Sequence, residues 1–399
     1  KCRYNAIAMV KGTPLVFNDM CHSCGVCAAV CPHDAIKMQP IAIGEILSDL
    51  DMKPFSFAWG RLKVGESQSP MVISQLQKLA LPEAITLLDG PPGTACSAVK
   101  TISAADRVIL VTEPTPFGAH DLKLALNLCN ELNKPCAIFI NRSDENDSII
   151  EQLAATHSVP VVGKIPFSRE YARACCEGLI LAAEFPTLRG EIINSFSRMV
   201  NEAKVPLRHE EAETAVSGTT VPGANGGAKS DNYQEITILS GKGGTGKTSV
   251  AGAFSDLAES RVFADCDVDA ANLKLLLQGK TLYRNRVSLG SLAKIDPFRC
   301  MKCSKCLDQC RFGAISRNPE TGAYQVEEMH CEGCGLCVEI CPARAISEKR
   351  AETGSLMMSE AAGATLIHAD LNTAAENSGK LVSMVRDLAF AVVEQQQKD

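Results

Sequence analysis

Two identical cysteine runs in the C-terminal part of the chain carry the most specific chemistry in the sequence. Each has the spacing C-x2-C-x2-C-x3-C, which holds 4Fe-4S clusters, and in paired runs the fourth cysteine of each serves the other cluster. One predicted ligand set is Cys300, Cys303, Cys306 and Cys341, and the other is Cys331, Cys334, Cys337 and Cys310. Pro342 follows Cys341 as the pattern requires, whereas Arg311 takes that place after Cys310. Zinc knuckles, or cysteines that serve only packing, are the alternatives.

A third run of the same kind lies near the start of the chain. Its cysteines are Cys21, Cys24, Cys27 and Cys31, and residues 2–7 upstream of it parallel residues 310–315. This internal repeat predicts a further cluster, held by Cys2, Cys21, Cys24 and Cys27. Cys31 is then left over as a ligand whose three companions would precede Lys1, so we expect the chain to be a fragment of a longer protein. The alternative for Cys31 is a buried thiol.

The second strong motif is a phosphate-binding loop at residues 240–248. Its sequence, SGKGGTGKT, fits G-x4-G-K-S/T, in which glycines let backbone N–H groups wrap phosphates at a helix N-terminus. A predicted strand at 236–239 and a predicted helix from 249 onwards give the loop its usual context. Lys247 is predicted to meet the β and γ phosphates and Thr248 the Mg2+. A glycine-rich loop without nucleotide is the alternative. The predicted nucleotide-binding residues of this segment are Gly241, Gly243, Gly244, Thr245, Gly246, Lys247, Thr248 and Ser249.

An extra lysine, Lys242, gives the loop the variant form K-G-G-x-G-K-T. Together with the cysteine runs, this loop resembles that of the MinD/Mrp group of P-loop ATPases, specifically the members with an inserted two-cluster ferredoxin. The resemblance implies ATP and Mg2+ as cofactors, ATPase activity and an α/β fold with a parallel sheet, into which α+β ferredoxin-like modules are inserted. It also implies that Lys242 reaches across a dimer to the phosphates of the partner.

Two acidic segments extend the resemblance. A predicted strand at 261–264 leads to Asp265 and Asp267, which by analogy would hold Mg2+ through water and orient the attacking water. A predicted strand at 85–88 leads to Asp89 and then Pro-Pro-Gly, which implies Asp89 as a second water-mediated Mg2+ ligand and Gly93 as a neighbour of the γ phosphate. Solvated strand ends are the alternative for these carboxylates.

Further strands are predicted at 107–112, 136–142 and 161–167, with a helix at 119–132 between the first two. Such alternation predicts a parallel sheet with helices on both faces. The resemblance makes Asn141 the candidate for recognising the adenine edge, although an Asn after a strand is more often an ordinary turn residue. Helices at 66–78 and 375–387 are predicted as equivalent parts of the repeat.

The order of these parts is inverted relative to one family member, which indicates the tail of one ATPase followed by the head of the next. The predicted divisions are a partial ferredoxin at 1–40, the C-terminal part of a MinD-like ATPase at 41–208, a flexible linker at 209–233, the N-terminal part of such an ATPase at 234–290, a complete two-cluster ferredoxin at 291–350 and a return segment at 351–399. Because each half alone would expose an apolar sheet edge, we expect residues of about 80–205 and 235–275 to share one sheet.

Composition limits the class of protein. The chain has 399 residues, of which 46% are hydrophobic, so two or more domains with sizeable cores are expected. A net charge of −6 and apolar runs shorter than the ~18 residues of a membrane span indicate neither a nucleic-acid nor a membrane partner. Cysteines at metal-binding spacings favour a reducing cytoplasm over disulfides. Packing is the expected role of the other cysteines, which are Cys96, Cys129, Cys136, Cys175, Cys176 and Cys266.

Three functions remain open from the sequence. An iron–sulfur protein in which ATP gates electron transfer is favoured, because full four-cysteine ligation suits stable, redox-active clusters. A carrier or assembly ATPase for iron–sulfur clusters or metallocentres is the first alternative, and a partitioning or scaffold ATPase with structural clusters is the second. The expected partner is a redox protein or an apo-metalloprotein, and a homodimer through the nucleotide face is also open.

Overall fold

The computed structural model describes residues 2–49, 56–64, 66, 68–80, 85–207, 238, 248, 250–251, 262–268, 271–361, 364–372, 375 and 378–396. The predicted linker at 209–233 lies outside these residues, as does almost all of the predicted strand at 236–239.

The strands are β1 (Ile7–Val10), β2 (Thr13–Val16), β3 (Gly44–Asp49), β4 (Phe57–Leu62), β5 (Val108–Thr112), β6 (Cys136–Ser143), β7 (Val161–Pro166), β8 (Val262–Ala264), β9 (Lys280–Val287), β10 (Gly290–Ile295), β11 (Ile315–Arg317), β12 (Tyr324–Val326), β13 (Ile346–Ala351), β14 (Gly354–Ala361) and β15 (Ala364–Leu371). The helices are α1 (Val26–Ala29), α2 (Ser69–Gln77), α3 (Cys96–Ala104), α4 (Pro116–Glu131), α5 (Ser148–Thr156), α6 (Arg169–Cys176), α7 (Leu181–Glu184), α8 (Pro186–Glu202), α9 (Leu273–Leu276), α10 (Lys305–Gln309), α11 (Leu336–Ile340) and α12 (Ser378–Gln396).

A parallel sheet of β5, β6 and β7, with β6 in the centre, forms the first folding unit. Alternate side chains of β6 point to opposite faces, so Ile138 and Ile140 pack with residues of α4 and α5 on one side. On the other side, α8 crosses β7 where Gly163 leaves room for Ser195. The parallel sheet with helices on both faces, predicted from the strand–helix alternation, is thus present.

The strand predicted at 85–88 is absent, and this prediction is wrong. Residues 85–90 have no strand structure, and the side chains of Ile85 and Leu87 are each 79% exposed. A strand needs a hydrogen-bonded neighbour, and among the described strands β5 pairs only with β6. An apolar run that ends in Asp is therefore not enough to form a strand when no neighbouring strand pairs with it.

A second sheet has the order β8-β15-β14-β9. Its strands β14 and β15 are paired antiparallel. Helix α12 packs against them through Leu381, Val385 and Leu388, which recur at helical spacing. The expectation that residues near 80–205 and 235–275 share one sheet is wrong for the described strands, because β8 pairs in parallel with β15. The long, apolar β14–β15 hairpin, which the sequence analysis missed, supplies the edge that β8 needs.

The internal repeat is visible in the backbone. The hairpin β1–β2 pairs Ile7 with Val16, and β11–β12 pairs Ile315 with Val326 at the equivalent positions. The repeat then continues as a β-hairpin and a helix: β3, β4 and α2 in the first copy, and β14, β15 and α12 in the second. In both copies the hairpin opens on a glycine whose Cβ would overlap a carbonyl of the partner strand, namely Gly44 and Gly354. The predicted helices at 66–78 and 375–387 are the helical members of these equivalent pieces.

The complete module consists of the strand pairs β10–β13 and β11–β12 with the short helices α10 and α11. The N-terminal half-module consists of the hairpin β1–β2 and helix α1. Among the described residues, no helix combines the length and apolarity needed to cross a bilayer.

Candidate iron–sulfur sites

The first candidate site lies at the end of β10. Its cavity is lined by Cys300, Cys303, Cys306 and Cys341, with Ile295 and Ile346 among the apolar neighbours. A hydrogen bond of 2.6 Å between the hydroxyls of Ser304 and Tyr324 joins the loop that carries Cys303 and Cys306 to β12. The cavity thus gathers three cysteines of one run with the fourth cysteine of the other.

The second candidate site lies on the other side of the complete module. Its cavity is lined by Cys310, Cys331, Cys334 and Cys337, together with Cys306 of the first set. Burial, followed by the charges of Cys331, Cys310 and Cys306, raises the pKa of the Cys337 thiol to about 12. Four thiolates in this space therefore repel one another unless cationic iron lies between them.

Gly333 shapes the loop of the second site. Its φ is +59°, in the left-handed region, and a Cβ at this position would overlap the carbonyl oxygen of Ser291. The loop therefore lies so close to β10 that a side chain at this position would collide with the strand backbone.

The third candidate site is built by the N-terminal half-module. Burial raises the pKa of the Cys27 thiol, and the charges of Cys24, Cys21 and Cys2 act in the same direction, so the four predicted ligands are neighbours. The amide of Ala6 donates to Cys2 Sγ at 3.3 Å. Such an amide stabilises the thiolate form that binds iron.

Cys31 adopts the conformation of a ligand although it lies outside the third set. The amide of Ala35 donates to Cys31 Sγ at 3.3 Å, and the amide of Ala345 donates to Cys341 Sγ at the same distance. The hydrogen bond that the Ala35 amide donates is the main cause that lowers the pKa of the Cys31 thiol. The buried thiol that was the alternative for Cys31 is not observed, because this residue is only partly buried.

The donor sets have the composition that 4Fe-4S clusters need. Within the described part of the chain, no three His, Cys, Asp or Glu side chains are grouped to hold one ion. Such a cluster instead binds one thiolate at each of four irons, so its ligands surround a small inorganic core without converging on one point. The four cysteines around each of the two cavities of the complete module, and the neighbouring cysteines of the third set, meet that requirement.

A contact that the sequence analysis missed joins the second and third sites. Cys24 of the N-terminal half-module lines the cavity of the second site together with Cys334. Cysteine spacing gives no signal for this contact, because it arises from docking of two modules far apart in the chain. The equivalence of Cys24 and Cys334 within the repeat is the one hint that the sequence offers.

Most of the predicted nucleotide-binding residues fall outside the described residues. These are Gly241, Lys242, Gly243, Gly244, Thr245, Gly246, Lys247 and Ser249, whereas the adjacent Thr248 is helical. Gly93 has a φ of +80° and lies, like Asp89, in an exposed segment without regular structure. Asn141 lies within β6 rather than after it.

The segment after β8 is ordered by Asp265. Its carboxylate accepts the amides of Asp267 at 3.2 Å and Leu273 at 3.0 Å, while Asp267 itself is exposed. Burial raises the pKa of Asp121 on α4, and the charge of Asp267 adds to this effect. The stretch predicted to bind Mg2+ therefore lies near α4, so the parallel-sheet unit and the segment after β8 are neighbours although β8 belongs to the other sheet.

Comparisons with known proteins give these sites a family context. Residues 293–347 match the family model of the 4Fe-4S dicluster domain, and residues 14–37 match that of the 4Fe-4S binding domain. The chain therefore contains two ferredoxin-type domains and is an iron–sulfur binding protein. A P-loop ATPase family is not among these matches.

Three curated relatives extend this picture. An uncharacterized protein of Methanocaldococcus jannaschii is 34% identical over 158 residues, which is 39% of this chain and 54% of the relative. A second from the same organism is 27% identical over 182 residues, or 44% of this chain and 62% of the relative. Pyruvate synthase subunit PorD of that organism is 36% identical over 58 residues, which is 14% of this chain and 66% of that protein. The matched regions thus span between half and two thirds of these relatives.

Proposed function

We propose that this chain is an electron-transfer protein that holds three 4Fe-4S clusters and couples them to a nucleotide. The observation that carries the electron-transfer part is the presence of three separate sets of four cysteines, each set gathered around its own loop. A bound 4Fe-4S cluster supplies one-electron redox chemistry without making or breaking bonds to substrate.

The protein tunes such a group through its own atoms. Amide donors to Cys2 and Cys341, each 3.3 Å from sulfur, stabilise negative charge on the ligands. Apolar side chains such as Ile295 and Ile346 cover part of the first site, whereas its ligand Cys303 is exposed. Hydrogen bonds to sulfur and exclusion of solvent are the levers by which a protein sets cluster potentials.

Exchange of ligands between runs favours permanent clusters over cluster delivery. Cys341 completes the set of Cys300, Cys303 and Cys306, and it follows helix α11, which carries Cys337 of the other set. Release of one cluster would therefore disturb the other site as well. A cluster carrier needs the opposite arrangement, in which exposed ligands release the cluster while the protein keeps its fold.

The nucleotide part of the proposal is that the chain is a MinD/Mrp-like ATPase in which Mg2+ and ATP gate electron transfer. It is supported by the phosphate-loop sequence with Lys242 and Lys247, and by the position of Asp265 directly after β8. Helix α3, which follows Pro-Pro-Gly, also packs against the complete module just before Cys331. A loop that moves with the nucleotide state would thus act on a helix that contacts the second cluster site.

The first experiment tests cluster content. The full chain is reconstituted anaerobically with iron and sulfide, and about 12 iron atoms per chain are expected for three 4Fe-4S clusters. Low-temperature EPR of the dithionite-reduced protein should show reduced 4Fe-4S signals. An iron content near 1 atom per cysteine set, or transfer of the clusters to an apo-protein at the rate of a carrier, would contradict the electron-transfer function.

The second experiment tests nucleotide coupling. The cluster potentials are measured by redox titration with and without Mg-ATP, in the natural chain and in Lys247→Ala. We expect a shift of the potentials in the natural chain alone, because Lys247 is proposed to hold the β and γ phosphates. Equal potentials in all four samples would remove the nucleotide from the proposal but leave electron transfer intact.

Partner and location complete the proposal. A redox protein is the proposed electron acceptor or donor, and a homodimer formed through the nucleotide face would bring Lys242 to the phosphates of the partner. Sedimentation with a non-hydrolysable ATP analogue tests the dimer, with Lys242→Ala as the comparison. The cysteines of the three runs form no disulfide, so they are available as cluster ligands, and a reducing cytoplasm would keep them so.

A further inference from the structure

The N-terminal half-module and the complete module contact each other through equivalent residues. Arg3 and Arg311 occupy the same place in the repeat, each directly after a cysteine ligand. Arg3 Nη1 donates to the carbonyl of Gly333 at 2.7 Å, and Arg311 Nη1 donates to the carbonyl of Ser23. Ser23 and Gly333 are themselves equivalent, because each lies between the first two cysteines of its run. The two hydrogen bonds are therefore one contact made twice in opposite directions.

The same relation holds at the centre of this surface. Cys24 and Cys334, which are equivalent cysteines, are neighbours on this surface, because both line the cavity of the second site. The helices that follow them, α1 and α11, pack against each other. An interface in which residue i contacts j while j contacts i is isologous, which is the mark of twofold symmetry. Here the symmetry is approximate and relates two modules of one chain.

Contacts specific to the Arg3 side strengthen the interface. Arg3 Nη1 also donates to Ser291 Oγ at 2.8 Å, and Arg3 forms an ion pair with Glu348. The hydroxyl of Tyr4 donates to the carbonyl of Glu332 at 3.1 Å. These partners all belong to β10, β13 or the loop of the second site, so the half-module is tied directly to the frame of a cluster cavity.

Two equivalent glycines show how closely the surface is fitted. Gly25 and Gly335 have almost the same backbone, with φ of +80° and +82°. A Cβ at Gly335 would lie 2.6 Å from Arg3 Nη2, whereas a Cβ at Gly25 would meet nothing within 4 Å. The absence of a side chain at Gly335 therefore makes the space that the Arg3 guanidinium fills.

We propose that this pseudo-twofold surface is a docking site between ferredoxin modules, and that its role is to hold the loops of the second and third cluster sites against each other. Arg3 and Arg311 are its positioning residues. The inference rests on the proposed function, since it concerns the same cluster sites. Cys306 lines the cavities of both the first and second sites, and Cys24 lines that of the second. The three sites thus form one continuous series across the two modules.

The test uses the full, anaerobically reconstituted and fully reduced chain. Neighbouring paramagnetic clusters interact, so we expect the natural chain to show spin–spin splitting between the second and third clusters in EPR. Arg3→Ala should lose that splitting while the iron content stays unchanged. Arg317→Ala, which removes an exposed arginine on β11 of the complete module, should keep it. Splitting that survives in Arg3→Ala would overturn the positioning role of Arg3.

A matched glycine pair provides a second, independent variant. Gly335→Ala and Gly25→Ala impose the same strain at positive φ, but only the first displaces Arg3. We expect Gly335→Ala to lose the splitting and to increase hydrogen exchange at the amides of residues 21–26, whereas Gly25→Ala retains the splitting. If Arg3→Ala fails to bind the third cluster, Tyr4→Phe, which removes one hydrogen bond and keeps the ring stacked on His22, takes its place.

The outcomes separate this inference from the proposed function. A full iron content with three independent EPR signals in the natural chain would overturn the docking site and leave the electron-transfer function standing. A chain that holds no cluster at Cys2, Cys21, Cys24 and Cys27 would overturn the third site itself. Equal loss of splitting in Gly335→Ala and Gly25→Ala would show that backbone strain, rather than the Arg3 contact, controls the distance between the clusters.

Discussion

Ser103 Oγ lies 3.3 Å from Nε2 of His330, although 227 residues separate them in sequence. Ser103 lies in the last turn of helix α3 of the parallel-sheet unit, and His330 ends a 3-10 helix (Glu328–His330) directly before Cys331. Beside this pair, Met329 packs onto the small core formed by Val99 and neighbouring residues. The parallel-sheet unit is therefore attached to the complete module at the point where the second cluster loop begins.

This junction gives the first prediction. Met329→Ala removes the apolar contact between the 3-10 helix and α3, and we expect it to weaken the junction by about 1–2 kcal/mol, less than a fully buried Met would cost. Hydrogen exchange of α3 amides should rise accordingly. Met9→Ala is the control, because the Met9 side chain is 67% exposed on β1. Unchanged protection of α3 in Met329→Ala would show that the junction does not depend on this side chain.

The cluster sites were more predictable from the sequence than the sheets were. Cysteine spacing is a local requirement of the inorganic core, so the grouping of Cys341 with the run that starts at Cys300 follows from the pattern alone. The strand predicted at 85–88 is absent because a strand also needs a hydrogen-bonded neighbouring strand, which the apolar run by itself does not indicate. The pairing of β8 with β15 depended on a hairpin whose two long strands had gone unrecognised. Which strands pair over long sequence distances depends on which sheet edges the rest of the fold offers. The sequence of one segment alone does not contain that information.

The exchange of ligands between runs gives the second prediction. Cys341→Ser should remove the first cluster and lower the iron content by at least about 4 atoms per chain, with a further loss where the second site is disturbed as well. Cys31→Ser is the matched control, because both sulfurs accept an alanine amide at 3.3 Å. Cys31 has no ligand set within this chain, so its loss should leave the iron content unchanged. Iron analysis with EPR of the remaining signals distinguishes the two variants, and equal losses would mean that Cys31 also binds a cluster here.

Gly333 gives the third prediction. Ala at this position is strained by a φ of +59° and also overlaps the carbonyl of Ser291, which belongs to a strand and cannot move freely. Gly313→Ala is the control, since its φ is +64° and a Cβ there meets nothing within 4 Å. We expect about 1–2 kcal/mol of strain in both variants, but loss of the second cluster only in Gly333→Ala. The iron content and the temperature of cluster loss are the measurements.

The packing of α8 on the parallel sheet gives the fourth prediction. Gly163→Ala would overlap Ser195 on α8 and Phe139 on β6, so we expect a loss of about 1–3 kcal/mol in the local stability of β7. Gly190 is exposed within α8 and a Cβ there meets nothing within 4 Å. Gly190→Ala should therefore stabilise the helix by about 0.5–1 kcal/mol. Hydrogen exchange of the β7 amides measures both, and a stable Gly163→Ala would contradict the close approach of α8.

A buried histidine gives the last prediction, which concerns pH. His368 on β15 is 1% exposed, its Nε2 lies 2.9 Å from Ser359 Oγ, and its Nδ1 is buried without a hydrogen-bond partner. Burial, and then the charge of Lys274, lowers the pKa of this imidazole to about 4. Because the unfolded chain has the ordinary value near 6.5, the unfolded state binds more protons between these two values. The contribution of neutral His368 to the free energy of unfolding is therefore fully present above pH ~6.5 and is lost as the pH falls towards 4.

The predicted size of the effect follows from the two pKa values. A difference of roughly 2.5 units corresponds to about 3 kcal/mol at most, of which about 2 kcal/mol should be lost by pH 5. His368→Gln should abolish this part of the pH dependence, measured as hydrogen exchange of β14 and β15 amides from pH 7 to 5. Burial raises the pKa of Asp370 on the same strand, which acts in the opposite direction, so the difference between variant and natural chain is the quantity to compare. A pH dependence that persists in His368→Gln would show that other groups destabilise this sheet in acid.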